Sequence, residues 1–233
     1  RATIGGIVAT HDSGPRRHRY GAPRDLIIGV EFARADGRLA KGGGIVVKNV
    51  AGYDLPRLMT GSFGSLGVIV AATFKLYPLT GVSRTLVVEL SSVADLGNLV
   101  GRILSSHLTP TALEFATHPL RLLLRFESIE ASVEQQCETA ASMIAEGGSS
   151  ARAVSGSDED GLWNEHARLG LLDRGALLKV SVLPTDLADT LGAIERLAGS
   201  RGYVAAGRAG SSVFLLRLLD DVPLQKRVIE GLR

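Results

Sequence analysis

Cysteine is almost missing from this 233-residue chain. Cys137 is the only one, which excludes an internal disulfide framework and any multi-cysteine zinc or iron-sulfur site. Long apolar runs are missing too: none approaches the roughly 20 residues that span a bilayer, so the sequence reads as soluble. The five histidines, His11, His18, His107, His118 and His166, lack metal-ligand spacing. Gly61-Ser-Phe-Gly-Ser-Leu-Gly is neither a Walker loop nor a dinucleotide fingerprint, because it lacks the Lys-Ser/Thr ending and its glycines do not fit G-x-G-x-x-G. No presequence precedes Arg1, and the chain opens directly on a glycine turn of the kind that follows an earlier element, so a fragment is expected.

What is present is globular in character: 45% of residues are hydrophobic and 21% charged, which excludes disorder. The length predicts one or two domains that bury about 70% of the unfolded chain's surface. Charge and glycine are uneven. Residues 1–80 carry eleven Lys and Arg against five Asp and Glu, whereas the rest carries fifteen against nineteen. Fourteen of the 28 glycines fall within the first 81 residues. A basic, glycine-dense front third suits close backbone approach to an anionic ligand, and it equally suits a β-rich domain with many turns and solvated arginines.

Beyond Pro78 the texture becomes alternating strands and amphipathic helices. Leu86–Leu90 reads as a strand and is followed by a helix with Leu96, Leu99, Val100, Ile103 and Leu104 on one face behind Ser92 as N-cap. Leu113–Ala116 and Leu120–Phe126 read as strands. A second helix, Ile129–Glu146, puts Val133, Cys137, Ala140, Ala141 and Ile144 inward and stops at Gly147-Gly148, which makes Cys137 a core residue. The order then recurs: strand Leu177–Leu183, helix Asp186–Ala198, strands Tyr203–Ala206 and Val213–Leu219, and a last helix Pro223–Leu232. Between the repeats lie a polar loop, Ser155–Asp160, and a short helix, Leu162–Leu172, bearing Trp163. Two β-α-β-β-α units offset by about 91 residues predict a duplicated split βαβ, that is, an α+β domain with an antiparallel sheet and helices on one face.

The front third carries the chemistry. Thr3-Ile-Gly-Gly-Ile-Val-Ala-Thr, Ser13-Gly-Pro-Arg-Arg, Arg19-Tyr-Gly-Ala-Pro-Arg-Asp, Ala35-Asp-Gly, Lys48-Asn-Val-Ala-Gly-Tyr-Asp-Leu and Gly61-Ser-Phe-Gly-Ser-Leu-Gly-Val-Ile follow one another within 69 residues. This series resembles the second half of the FAD-binding domain of the vanillyl-alcohol-oxidase (PCMH) type of flavoproteins. Within that superfamily it is most similar to the FAD-binding subunits of bacterial glycolate oxidases. The resemblance implies an FAD-binding part at 1–80, whose N-terminal half is missing, and a substrate or cap type α+β domain at 81–233. In such proteins the first stretch lines the pyrophosphate and the flavin ring, which picks out Thr3, Gly5, Gly6, Ala9, Thr10, Ser13 and Gly14. Tyr20, Gly21, Arg24 and Asp25 continue that wall, and Gly67, Val68 and Ile69 approach the adenine side through their backbone.

The resemblance further implies an FAD-dependent oxidoreductase acting on CH-OH donors. Its flavin takes a hydride from a small 2-hydroxy acid such as glycolate and passes electrons to a homologous FAD-linked oxidase subunit and an iron-sulfur subunit. No nucleic acid is involved, and the expected location is the cytoplasm, extending to the inner face of the membrane through partners. The histidine-rich, acidic metal motif of related dehydrogenases has no counterpart here, so no metal is expected and the catalytic base stays unassigned. That leaves open a noncatalytic FAD-fold assembly subunit beside a catalytic homologue. A flavin reductase of cell-wall precursor synthesis shares the architecture but demands a Ser or Glu proton donor that the sequence does not identify. Several residues keep two readings. Asp54 either caps the helix Leu55–Thr60 or belongs to the ligand shell, Lys48 either neutralises flavin charge or is simply exposed, and Arg16, Arg17 and His18 form either a solvated loop or a subunit contact. Ala35-Asp36-Gly37-Arg38 reads as a hairpin turn.

Overall fold

The computed structural model describes residues 2–47, 52–169, 175–199, 201–219 and 222–232. The chain divides into two compact units, Arg1–Leu79 and Thr80–Arg233.

The first unit holds α1 (Ile4–Thr10), α2 (Arg17–Tyr20), α3 (Pro23–Leu26), β1 (Ile27–Ala33), β2 (Leu39–Gly43), α4 (Leu55–Met59) and β3 (Val68–Phe74). Its three strands form one antiparallel sheet in the order β2-β1-β3. The hairpin expected at Ala35-Asp36-Gly37-Arg38 joins β1 to β2. There the Arg34 N–H donates to the Arg38 carbonyl at 2.9 Å and Asp36 Oδ1 accepts from the Arg38 N–H at 3.2 Å. One sheet face carries Val30, Phe32, Ala40 and Ile69, and packs with Val8 of α1 and with Leu55 and Met59 of α4. Asp54 does cap α4, accepting from the Arg57 N–H at 3.1 Å.

The opening segment departs from expectation. Residues 4–10 form a helix where a glycine turn was predicted. Two glycines and β-branched Ile4, Ile7 and Val8 argue against helix, at about 1 kcal/mol for each glycine. Against that, Thr3 Oγ1 accepts from the Gly6 N–H at 3.1 Å as N-cap, and Val8 is wholly buried. Capping and tertiary burial outweigh propensity.

The second unit contains β4 (Val82–Glu89), α5 (Val93–Leu104), β5 (Ala112–Ala116), β6 (Arg121–Ser128), α6 (Glu130–Glu146), β7 (Ala151–Val154), α7 (Gly156–Arg168), β8 (Ala176–Ser181), α8 (Leu187–Ala198), β9 (Tyr203–Arg208), β10 (Val213–Leu218) and α9 (Val222–Gly231). Its seven strands form one antiparallel sheet in the order β7-β4-β6-β5-β9-β10-β8. Strand–helix–strand–strand–helix occurs twice, and β4-β6-β5 meets its mirror β9-β10-β8 where β5 pairs with β9. The chain is thus a mixed α/β protein with antiparallel sheets, as expected. Ser92 caps α5 through the Asp95 N–H (3.1 Å), and Cys137 is a core residue of α6.

Helices were expected on one face only. In the structure, α5, α6, α8 and α9 cover the face of Leu86, Val88, Leu122 and Leu124, while α7 lies on the other face over Val87 and Leu123 through Leu162 and Trp163. The uninterrupted runs Leu86-Val87-Val88 and Leu122-Leu123-Leu124 fit a sheet region covered on both faces. Ser155–Asp160, expected as a loop, is the N-cap and first turns of α7, where Asp158 and Glu159 suit the positive end of the helix dipole. The short edge strand β7 was not foreseen.

Candidate functional site

Two of the segments singled out by sequence, Thr3–Thr10 and Gly61–Ile69, converge in the first unit. Gly5 of α1 lies against β3 so closely that an added Cβ would stand 3.1 Å from the Ile69 carbonyl oxygen. The loop leading to β3 is fastened to the end of α1: Gly61 N–H donates to the Val8 carbonyl at 3.0 Å and Phe63 N–H to the Ala9 carbonyl at 2.9 Å. Gly67, φ +152°, turns into β3 so tightly that a Cβ would fall 2.6 Å from the Ala33 carbonyl oxygen. Thr3, Gly5, Gly6, Ala9, Thr10, Gly67, Val68 and Ile69 therefore belong to one locality.

Within it, Thr3, Gly6 and Thr10 share an exposed line on α1, at helical spacing. Among the described residues a Cβ on Gly6 would meet only Thr3 Oγ1, at 3.1 Å, so the main chain there is open to close approach. The Thr3 hydroxyl, already accepting from the Gly6 N–H, keeps its hydrogen for an external acceptor. The Thr10 hydroxyl differs, donating to the Gly6 carbonyl at 2.9 Å.

The wall continues with less chemistry than the sequence implied. Gly14 faces open space, and Ser13 Oγ accepts from Arg17 Nη1 at 3.3 Å. Tyr20 packs on Tyr77 with ring centroids 5.2 Å apart. Asp25 caps the start of α3, its Oδ2 accepting from the Ala22 N–H at 2.8 Å. Arg16, Arg19 and Arg24 are exposed, giving the region its positive field. Burial lowers the His18 pKa, so at neutral pH that ring adds no charge to the basic segment.

Asp25 also lines a cavity of about 300 Å³ with Ile27, Tyr53, Arg57 and Lys75. Tyr53, Arg57 and Lys75 were not singled out as site residues, because only folding brings β3 and α4 to the same hollow. Lys48, Asn49, Val50 and Ala51 lie outside the described residues.

His166 of α7 meets Glu114 of β5 at 3.2 Å, both side chains 5% exposed. Among the described residues no group of three His, Cys, Asp or Glu is placed to hold a metal ion. Cys137 has its thiol pKa raised, chiefly by burial.

No protein-family model matches the chain. Curated relatives do, among them the following three. Glycolate oxidase subunit GlcD of Bacillus subtilis is 37% identical over 123 residues, 53% of this chain and 26% of that protein. Glycolate oxidase subunit GlcE of Escherichia coli is 46% identical over 90 residues, 39% of this chain and 26% of that protein. A D-lactate dehydrogenase of Archaeoglobus fulgidus is 38% identical over 114 residues, 49% of this chain and 26% of that protein. Among solved structures, alkyldihydroxyacetonephosphate synthase superposes with a TM-score of 0.72 at 15% identity, covering 99% of this chain and 52% of that one. The latter establishes likeness of fold. The resemblance to glycolate oxidase subunits drawn from the motifs is borne out at 37–46% identity. The chain spans about a quarter of the length of these curated relatives and about half of that structure.

Proposed function

We propose that the chain is part of an FAD-linked oxidoreductase acting on a small 2-hydroxy acid such as glycolate. Residues 1–80 form the second half of a vanillyl-alcohol-oxidase type FAD domain, and 81–233 a cap built as a duplicated split βαβ. The observation that carries the reading is the exposed line Thr3, Gly6 and Thr10 beside Gly67–Ile69, in a segment that resembles the flavin-binding motifs of its relatives. FAD fits there: bare main chain at Gly6 permits close approach of a diphosphate, and the exposed arginines offset its charge. FAD supplies the acceptor for a hydride from the substrate α-carbon. On this reading Thr3 donates to a phosphate oxygen, Gly6 and Gly14 leave room, and the β3 backbone at Gly67, Val68 and Ile69 faces the adenine. Ser13, Tyr20, Gly21, Arg24 and Asp25 hold the shape of the wall.

Among the described residues no helix is long and apolar enough to cross a membrane. A homologous oxidase subunit and an iron-sulfur subunit are the electron-accepting partners in this reading, placed in the cytoplasm or at the inner membrane face. A second reading is a noncatalytic assembly subunit of the same fold. It is favoured by the similarity to two differently named subunits of glycolate oxidase. The visible spectrum of the purified protein separates them: flavin absorbance bleached by glycolate supports the enzyme, absorbance without bleaching the assembly subunit. Colourless protein that takes up no added FAD sinks both.

A further inference from the structure

The sheet face beneath α7 is built like a carboxylate receptor. Two hydroxyls donate to one oxygen, Glu159 Oε1, Ser83 Oγ at 2.8 Å and Thr85 Oγ1 at 2.5 Å, and the Arg125 guanidinium pairs with the same oxygen as an ion, its Nε at 3.2 Å. Each hydroxyl is itself held from behind. Ser83 Oγ accepts from Arg125 Nε at 2.9 Å, and Thr85 Oγ1 accepts from Trp163 Nε1 at 2.9 Å. A hydroxyl has one hydrogen, so these contacts fix both hydrogens on the carboxylate. Thr85 is 0% exposed and Glu159 is 2% exposed, so the group lies out of water. Glu127 Oε1, 3.5 Å from Arg125 Nε, balances the guanidinium.

The two hydroxyls and the guanidinium all belong to the sheet. Thr85 and Arg125 are register partners on β4 and β6, and Ser83 lies two residues from Thr85 on the same face. The carboxylate alone belongs to α7. That helix is fastened mostly by polar contacts, including Glu165 Oε1 to Arg121 Nη2 at 2.8 Å and His166 to Glu114 at 3.2 Å. Its apolar seat is confined to Leu162 and Trp163 over Val87, Leu123 and Val154. A buried ion pair gives little net stability over an apolar contact of the same size, so such a fastening is a costly way to dock a helix.

We propose that Ser83, Thr85 and Arg125 form a receptor for a small monocarboxylate, and that α7 plugs it from within the chain with Glu159. The proposal stands apart from the flavin reading, since its test needs no cofactor. Trp163, the chain's only tryptophan, donates into the receptor and reports on it directly.

The experiment uses Glu159→Ala in the whole chain, titrated with sodium acetate and with sodium glycolate against sodium chloride of equal ionic strength. The readouts are Trp163 emission and the unfolding temperature. The variant is expected to unfold at a lower temperature than the parent. Both carboxylates should restore stability and shift the emission saturably, with chloride doing neither, and the parent should respond at roughly tenfold higher concentration or more because its tethered carboxylate competes. Equal potency of acetate and glycolate means that the carboxylate alone is read, whereas a stronger glycolate response adds recognition of the hydroxyl. Thr85→Val in the Glu159→Ala background should weaken the acetate response several-fold. If the variant does not fold unaided, its refolding yield from urea in acetate against chloride gives the same comparison. Acetate acting no better than chloride, or an acetate response indifferent to Thr85→Val, overturns the proposal.

Discussion

The two units solve the problem of burial differently. The second buries an extended core, from Leu86 and Leu96 through Phe115 and Leu124 to Leu191 and Phe214, under helices. Among the described residues the first gathers a core cluster of only five, Val8, Ile27, Val30, Phe32 and Met59, and leaves Leu39, Tyr53, Phe63, Val68 and Leu76 exposed, Tyr53 at 92% and Leu76 at 85%. Large apolar side chains gathered on one small unit mark surface made to be covered, by a ligand or by further protein. The poorer core carries the candidate glycine-lined site.

The sharpest break of this comparison is a core truncation in each unit. Phe115→Ala should cost about 3–5 kcal/mol and Met59→Ala about 2–5 kcal/mol, by transfer and cavity terms together. Denaturant unfolding followed by Trp163 should register the first strongly, since the tryptophan sits in the second unit; equal sensitivity to both would mean that the units unfold as one.

A smaller effect isolates the site from the fold. Gly6→Leu meets only the Thr3 hydroxyl, so the unfolding midpoint should stay close to the parent's while FAD binding weakens roughly tenfold or more, about 1.4 kcal/mol. Binding measured by flavin fluorescence that survives the change would remove α1 from the site. Gly5→Leu, pressed on the Ile69 backbone, should lose stability and flavin together.

Smaller again is the helix cap. Asp54→Ala should cost about 0.5–2 kcal/mol through the lost bond to the Arg57 N–H, measured by thermal unfolding. Two titrations close the series in the second unit. The Tyr203 phenol is pushed up to about 12, by burial first and by Glu195 second. The folded state therefore holds that proton more tightly than the unfolded one. Its contribution is intact below the ordinary tyrosine range and is lost as pH rises from about 10 toward 12. Ultraviolet absorbance should show the Tyr203 phenol ionising above the ordinary tyrosine range. The Cys137 thiol, raised chiefly by burial, should react slowly with disulfide reagents in the native protein and rapidly in urea.

Much of the second unit was legible because its helices keep apolar residues at helical spacing and begin or end on recognisable residues, such as Ser92 before α5 and Gly147 after α6. Less was legible where local chemistry and tertiary context disagree. The helix α1 hides behind two glycines, and α7 hides behind a run of Ser, Asp and Gly whose acids suit a helix start as well as a loop. The site residues Gly5, Gly67 and Ile69 were named from motif resemblance, and their mutual contact needed the strand. The cavity residues Arg57 and Lys75 carried no local signal, and Tyr53 lay in a quoted motif without being named as a site residue.

Sequence alone determined the alternation of strands and helices, the repeat in the second unit, the core role of Cys137 and the likeness of the front third to flavin-binding motifs, because these depend on spacing along the chain. Tertiary structure decided that residues 4–10 wind into a helix, that α7 crosses to the other sheet face, and that Glu159 lies between Ser83, Thr85 and Arg125. Those outcomes rest on contacts between residues some 34 to 76 positions apart, such as Arg125 with Glu159 and Ser83 with Glu159, and no local pattern encodes a partner that far away.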